Sequence, residues 1–398
     1  MEVTDHNSRG HFRSAIYFSS IDWRATWQRP QQLASRLGEY GELLYVNPLG
    51  LRSPRLEDFP RIVRRVGARS RGKEGNAKQG NLAIHTPLAY LPFPDNPLAN
   101  KVNGWLLRNA VMAWLGRHGG EKPVIWVSVP APAVVEALRG LPRQLLVYDC
   151  LDNFASFHQG RRSILDAERA LASESDVVFA TADELFERMC KLNPNTFRLP
   201  NGADFEHFSP AAGGRIPSPP DIEYIKKPIL GYVGEIAWWF DFDLVRDLAT
   251  QNPAWSIVLI GQAHEARANE LARLPNVHMP GRKPYSELPA YLSRFDVCLL
   301  PFKINDLTSA VNPVKLYEYL AAGKPVVSTP MREVLKYRDV VSVAEPGEFS
   351  AAVSSALRRG NEPALVQRRQ EVARRNSWEA RVTEILRVLD PLCRREAS

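Results

Sequence analysis

The stretch Asp296–Phe302, DVCLLPF, followed by Ala310–Thr329, AVNPVKLYEYLAAGKPVVST, restricts the fold more than any other part of the chain. A mostly apolar run ending at Pro301 reads as a buried strand. Thr308, Ser309 and Asn312 are candidate N-caps, and Pro313 suits the first turn of a helix. Val314, Tyr317, Leu320 and Ala321 recur at helical spacing, Gly323 stops the helix, and Pro325–Ser328 is the next buried strand. Lys315 and Glu318 sit three apart and project from one side of that helix. The unit therefore aims free backbone N–H groups, a cation and a carboxylate at one crevice beyond a strand's carboxyl end. Such a crevice suits a diphosphate at the helix start and a ribose diol nearer the carboxylate. Taken alone, Lys315 and Glu318 fit a surface ion pair on an ordinary helix equally well.

The same alternation runs through the rest of the chain. Ser14–Ser20, the helix from Pro30 and the strand Glu42–Asn47 form a β–loop–α–β opening that predicts a parallel sheet. Strands are expected at Leu82–Leu91, Val124–Val129, Leu145–Tyr148, Val177–Thr181 and Thr196–Leu199, with helices between them. AAGGRIPSPP, Ala211–Pro220, is the best linker candidate. Beyond it the pattern restarts at Ile229–Val233 and Ser256–Ile260, with a helix expected over Ala263–Arg273. The fold class is α/β, with two doubly wound domains. An N-terminal domain is expected over 1–210, a linker over 211–226, a second domain over 227–375 and a final amphipathic helix over 376–398.

A hydrophobic content of 44% with 24% charged residues fits a soluble globular protein of 398 residues. No apolar run approaches the roughly 20 residues that cross a bilayer. The polar start, MEVTDHNSRGHFRS, lacks the apolar core of a secretory signal. Cys150, Cys190, Cys298 and Cys393 are far apart, show no metal-ligand spacing and read as thiols of a reducing cytoplasm. The net charge of +7 is partly local, since nine Lys or Arg against three Asp or Glu fall between Leu51 and Gly80. That stretch, with RIVRRVGARSRGK at Arg61–Lys73, reads as a mobile polar excursion or a solvated loop. It could also meet an anionic membrane surface or an anionic substrate. No zinc-finger spacing or aromatic RNA-binding signature points to nucleic acid.

Asn312–Pro313–x–Lys315–x–x–Glu318–Tyr319–Leu320–x–x–Gly323–Lys324–Pro325–Val326–Val327 resembles the nucleotide-sugar site of GT-B fold glycosyltransferases, in the group-one class related to glycosyltransferase family 4. LPNGADFEHFSP at Leu199–Pro210 is similar to that family's domain junction. GYVGEI at Gly231–Ile236 resembles its first C-terminal-domain strand and turn, and Leu274–Phe302 the run into the donor site. The resemblance implies two Rossmann-like domains facing a cleft, with donor on the second and acceptor on the first. Carried over position by position, Glu318 would accept hydrogen bonds from the ribose diol. Backbone around Val311, Asn312, Pro313 and Val314 would hold the distal phosphate, with Lys315 as a cation. Gly234 would let backbone approach the phosphates, and Gly281, Arg282 and Lys283 would lie at the base edge. The final helix with Trp378 resembles the family helix that packs back on the first domain. Two departures stand out. Ala310 occupies the place where the family often carries a second carboxylate, which Asn312 could replace in part. The Arg and Lys common after the first glycine turn are absent from Gly234–Glu235–Ile236–Ala237–Trp238–Trp239–Phe240–Asp241.

In the first half, the loop Asp22–Pro30 carries Trp23, Arg24, Trp27 and Arg29, which suit sugar stacking and anion binding or simply anchor the loop. Arg29 is the best single candidate there. Asp152 could orient an acceptor hydroxyl or act as a base. Asp149 reads as a helix cap, His158 as a loop histidine and His207 as structural. Trp238, Trp239 and Phe240 read as packing or as donor-pocket lining. The resulting expectation is a metal-independent, retaining hexosyltransferase that uses a nucleotide-diphosphate sugar and no other cofactor. Its acceptor would be a lipid-linked or small-molecule saccharide in bacterial cell-surface polysaccharide or glycolipid assembly. It would work in the cytoplasm, peripherally on the inner face of the membrane if the basic stretch docks there. The alternatives are a nucleotide-sugar 2-epimerase, or a degenerate relative that only binds nucleotide.

Overall fold

The computed structural model describes residues 12–49, 77–87, 90–118, 122–154, 161–214 and 216–396. Most of the basic excess, including Arg61–Lys73, lies outside the described residues, as do His158 and the start of the chain. The chain divides into two compact units. One runs to Leu199 and resumes at Val382, and the other is Pro200–Arg381.

The first unit is built on strands β1 (Ser14–Phe18), β2 (Glu42–Val46), β3 (Ala77–Gln79), β4 (Leu82–His85), β5 (Val124–Val127), β6 (Leu145–Cys150), β7 (Val177–Ala180) and β8 (Thr196–Arg198). Their order is β3-β4-β2-β1-β5-β6-β7-β8, parallel except for the β3–β4 pair. Strand β3 falls inside the polar stretch expected to be an excursion. Its neighbour β4 is shorter than expected, ending at His85. The central strands are buried on both faces, which is why SAIYF, VIWV and LLVYDC read as nearly continuous apolar runs. Stacked rings cross the sheet from Tyr45 through Tyr17 to Trp126 and on to Phe179. Helix α1 (Arg29–Leu37) follows β1, and helix α2 (Pro97–Leu115) precedes β5.

The second unit is an all-parallel sheet of β9 (Ile229–Val233), β10 (Ser256–Ile260), β11 (Val277–Gly281), β12 (Val297–Leu300), β13 (Val326–Ser328) and β14 (Ser342–Val343), ordered β11-β10-β9-β12-β13-β14. Helix α3 (Val314–Ala321) links β12 to β13. Helix α4 (Pro363–Arg375), not foreseen from the sequence, packs against α3 and places Ala373 in the core. The segment expected to be a linker is not loose. Ala211, Ile222 and Ile225 are buried in this unit's core, so the division expected at Pro210 falls at Pro200 instead. The helix expected over Ala263–Arg273 shrinks to Ala268–Leu271. Ala263 instead bridges Ile236, and the His264 N–H bonds the Ile236 carbonyl, which keeps both residues extended. Helix α5 (Trp378–Glu396) buries Trp378, Val382, Ile385 and Leu389 on one stripe, as its periodicity predicts. From Val382 its residues pack in the first unit, where Gln144 donates to the Cys393 carbonyl at 2.9 Å. All four cysteines are free, and Cys190 is exposed.

Backbone meets backbone where β9 and β10 end. A Cβ at Gly261 would lie 1.8 Å from the Gly234 carbonyl oxygen, and Gly261 has φ +152°. Gly261→Ala is expected to cost about 2–3 kcal/mol, read as a lower urea midpoint. Gly213, whose Cβ would meet nothing within 4 Å, supplies the control, and its Ala variant is expected within about 0.5 kcal/mol of the parent.

Candidate functional site

In an open parallel sheet, connections leave adjacent strands in opposite directions only where the strand order reverses, and the crevice there is the natural ligand site. The second sheet reverses between β9 and β12. The chain leaving β9 at Gly234 is stitched to the chain leaving β12. The Asp241 N–H bonds the Pro301 carbonyl at 2.8 Å, and the Lys303 N–H bonds the Trp239 carbonyl at 2.9 Å. Tyr319 on α3 closes the same end, its hydroxyl accepting from the Val233 N–H at 2.8 Å. Gly234, Val311, Asn312, Pro313, Val314, Lys315 and Glu318 are thereby gathered at one end of one sheet.

Helix α3 begins with Pro313 as its N-cap, and no side chain caps it. The Leu316 N–H bonds the Pro313 carbonyl at 3.1 Å. The N–H groups of Val314 and Lys315 find no acceptor among the described residues. They supply the free donors that a helix start offers an anion. Lys315 reaches Glu318, Nζ to Oε2 at 2.7 Å. The carboxylate is 3% exposed and the ammonium 20%. Glu318 is therefore enclosed rather than turned to bulk water, and its Oε1 has no partner among the described residues.

Other assigned residues have different work. Asn312 is buried and fully engaged: its Oδ1 accepts from the Asn201 N–H at 2.9 Å, and its Nδ2 donates to Tyr317 Oη and Glu333 Oε2, each at 3.0 Å. Asn201 Nδ2 in turn donates to the Asn312 carbonyl at 2.7 Å. Asn312 thus does not cap α3 and does not stand in for a missing carboxylate; it fixes the turn. Thr308 serves the preceding turn, where its Oγ1 accepts from the Asn305 N–H and donates to the Lys303 carbonyl. Gly234 is needed by its own neighbours, since a Cβ there would lie 2.7 Å from the Tyr232 hydroxyl. The turn after it carries an acid, Glu235, hydrogen-bonded to His264. Gly281 has φ +78° at the end of β11, two strands away from β9. Beside it, Lys283 is held by Asp221 at 2.6 Å and sits over the Tyr291 ring, with its pKa raised chiefly by that hydrogen bond. Arg282 is exposed and makes no ion pair among the described residues. Phe240 is core, whereas Trp238 is exposed. His207 stacks on Tyr285 and bonds its carbonyl at 3.0 Å, a structural role as expected.

The first sheet reverses between β1 and β5. A small, mostly apolar crevice lies at that switch point, with Phe18, Val46, Leu49, Leu107, Val129 and Val134 in its wall. Arg29 does not face it as a free cation. It is buried and grips Asp149 with two bonds, Nε to Oδ2 at 3.0 Å and Nη2 to Oδ1 at 2.8 Å, while Nη1 donates to the Leu199 carbonyl at 3.0 Å. Asp149 lies within β6, not at a helix start, and also accepts from Trp126 Nε1 at 3.3 Å. Arg29 and Asp149 are therefore corrected to a structural pair that ties α1 across β5 to β6. Trp23 packs edge-on against Trp27 and Tyr45, and its N–H bonds Asn47 Oδ1, so that loop is anchored by its aromatics. Asp152, just past β6, retains part of its surface, and burial pushes its carboxyl up to about 6. Among the described residues no three His, Cys, Asp or Glu side chains are grouped as metal ligands.

Residues 227–359, which hold the β9/β12 site, match the family described as Glycosyl transferases group 1. Over that span the chain is similar to group 1 glycosyl transferases, and its two parallel-sheet units share the GT-B fold. Among curated proteins it is similar to TuaH of Bacillus subtilis, provisionally named a teichuronic acid biosynthesis glycosyltransferase. The two are 27% identical over 289 residues, 67% of this chain and 72% of that protein. Sucrose-phosphate synthase from Thermosynechococcus elongatus shares the fold at TM-score 0.70 and 15% identity, over 96% of this chain and 99% of the other. HepE from Anabaena, solved with UDP-glucose, matches at TM-score 0.64 and 15% identity, over 96% and 100%.

Breaking one side of a buried ion pair strands the other charge in an apolar surround. Arg29→Met is expected to destabilise the first unit by about 3–5 kcal/mol, measured by urea unfolding. Arg29→Met with Asp149→Leu should recover a large part of that loss, because no uncompensated charge remains buried. A single variant as stable as the parent would contradict the structural assignment.

Proposed function

We propose that this protein moves a sugar from a nucleotide-diphosphate sugar to an acceptor hydroxyl during assembly of a cell-surface polysaccharide or glycolipid. The observation that carries the reading is the start of α3, where open backbone donors and Lys315 stand one helical turn from the buried Glu318 carboxylate. In this reading the donor phosphates take the N–H groups of Val314 and Lys315, and the ribose diol donates to Glu318. A carboxylate is the natural acceptor for two neighbouring hydroxyls. The solved complex of HepE with UDP-glucose, on the same fold, supports a sugar nucleotide as ligand. The name of the Bacillus subtilis relative supports a cell-surface polymer as destination.

The chemistry follows from charge. The bond from the anomeric carbon to the diphosphate breaks, and a new bond forms to the acceptor oxygen. Negative charge grows on the departing oxygen, where Lys315 and the helix donors lower its energy. We assign a retaining course, in which the departing diphosphate takes the acceptor's proton and no protein nucleophile is required. Neither a metal nor another cofactor enters this reading. The first unit binds the acceptor, and Asp152 orients its hydroxyl. The acceptor is a lipid-linked or small-molecule saccharide, and a lipid-linked one would place the enzyme on the cytoplasmic face of a membrane.

Glu318→Ala is expected to weaken donor binding by at least about tenfold, since hydrogen bonds to a charged group contribute about 1.5–3 kcal/mol. Calorimetry with UDP-glucose measures this, and unchanged affinity in a folded variant would sink the assignment. Asp152 yields a second test. Its carboxyl in the fold ionises only as pH rises through about 6. Turnover should therefore fall as the pH drops below that point, and Asp152→Asn should flatten this acid limb. The stability sign is opposite. Because the folded carboxyl holds its proton more tightly than the unfolded one, its contribution is present at low pH and lost as pH rises through about 6.

A further inference from the structure

Helix α2 is apolar on two sides. Its inner side buries Ala99, Gly104, Leu107, Val111 and Trp114 in the first unit. Gly104 lets it lie close to the helix over Pro132–Leu138, where a Cβ would come 2.6 Å from the Cβ of Glu136. That contact explains one apolar side. The other side faces solvent: Leu98 is 72% exposed, Trp105 53%, Val102 44% and Met112 43%. At roughly 100° per residue these four lie within about 40° of a single line along the helix. Leu91 and Phe93, also exposed, sit on a strap that the same helix holds down. Asn103 exchanges two bonds with Leu91, at 2.7 and 2.9 Å, and Asn100 Nδ2 donates to the Pro94 carbonyl at 2.8 Å. Six of the ten large apolar side chains exposed among the described residues thus belong to this one helix and its strap. Isolated exposed apolar residues need no explanation, but a rigid stripe of them does.

We infer that the outer stripe of α2 docks the protein on an anionic lipid surface, with the helix lying in the plane of the interface. The charge pattern selects that occupant. Between Pro97 and Leu115 there is no acidic residue, and Lys101 and Arg108 flank the stripe on one side. Arg117 follows within two residues of the helix end. An apolar stripe with a tryptophan and basic flanks is what a headgroup boundary accepts. A second copy would set Lys101 and Arg108 against their own counterparts, which disfavours self-association through this face. No helix among the described residues is long and apolar enough to cross a membrane, so α2 lies on the surface rather than spanning it.

The inference rests on this surface alone and not on the donor site, so vesicle binding and UDP-glucose binding can each fail without the other. The test is flotation of the full chain with vesicles of phosphatidylcholine alone, or of equal parts phosphatidylcholine and phosphatidylglycerol, without donor. The expected result is flotation with the mixed vesicles, weakened by salt and weaker on the neutral ones. Val102→Glu with Trp105→Glu, both at exposed positions, should lower partitioning by at least about tenfold with the thermal midpoint unchanged. Lys101→Gln should lower it about fivefold on the mixed vesicles and leave the neutral ones unaffected. No flotation of the parent, or a double variant that floats as well as the parent, overturns the inference. So does a concentration-dependent dimer that the double variant dissolves, which would give the stripe to a second copy.

Discussion

The candidate donor site depends on one buried amide. Asn312 sits at the turn between β12 and α3, and all of its side-chain hydrogen-bonding groups are committed inside the second unit. It holds Asn201 from the junction segment, Tyr317 from the helix and Glu333 from the chain beyond β13. Glu333 is itself almost wholly enclosed and is balanced by Lys336 at 2.8 Å. A turn secured from three directions has one conformation, and that fixes where the first N–H groups of α3 point. Flexible backbone at this place would spread those donors over many directions and weaken their pull on an anion.

The two units use buried charge in different ways. In the first, Arg29 and Asp149 satisfy each other with two parallel bonds, and a third donor takes a carbonyl. The guanidinium is spent on architecture, and it ties helix α1 to strand β6 and to the chain after β8. In the second, Glu318 is buried against a lysine that keeps one-fifth of its surface exposed. One carboxylate oxygen is used and the other is not. A carboxylate oxygen without a partner among the described residues is open to a ligand with hydroxyls to give.

The sheet reversals explain why these groups meet. Gly234 and Glu318 are far apart in sequence but belong to adjacent strands of one sheet, β9 directly and β12 through the helix that follows it. The stitching between Asp241 and Pro301 and between Lys303 and Trp239 makes a continuous rim from two loops. Gly261 lets a third loop press against that rim, backbone to backbone. The Arg282 and Lys283 pair, by contrast, leaves the sheet two strands farther along, and Lys283 is already bound to Asp221.

Local pattern settled much of this protein. Apolar runs bounded by Gly and Pro announced the strands because parallel strands are buried on both faces, and period-3.6 stripes announced α3 and α5. The i,i+3 spacing of Lys315 and Glu318 put them on one side of a helix whatever the rest of the chain does. Tertiary structure decided what spacing cannot encode. Nothing local distinguishes Arg29 as a reacting group from Arg29 as the partner of Asp149, because the pair is 120 residues apart along the chain. The same holds for Asn312 and Asn201, and for the linker-like Ala211–Pro220, whose Gly and Pro content hides an end that packs into a core. The outward stripe of α2 was equally hidden, since a helix with two apolar sides does not reveal in its sequence which side is buried. Short-range geometry follows from the order of residues; partnership and exposure follow only from how distant segments meet.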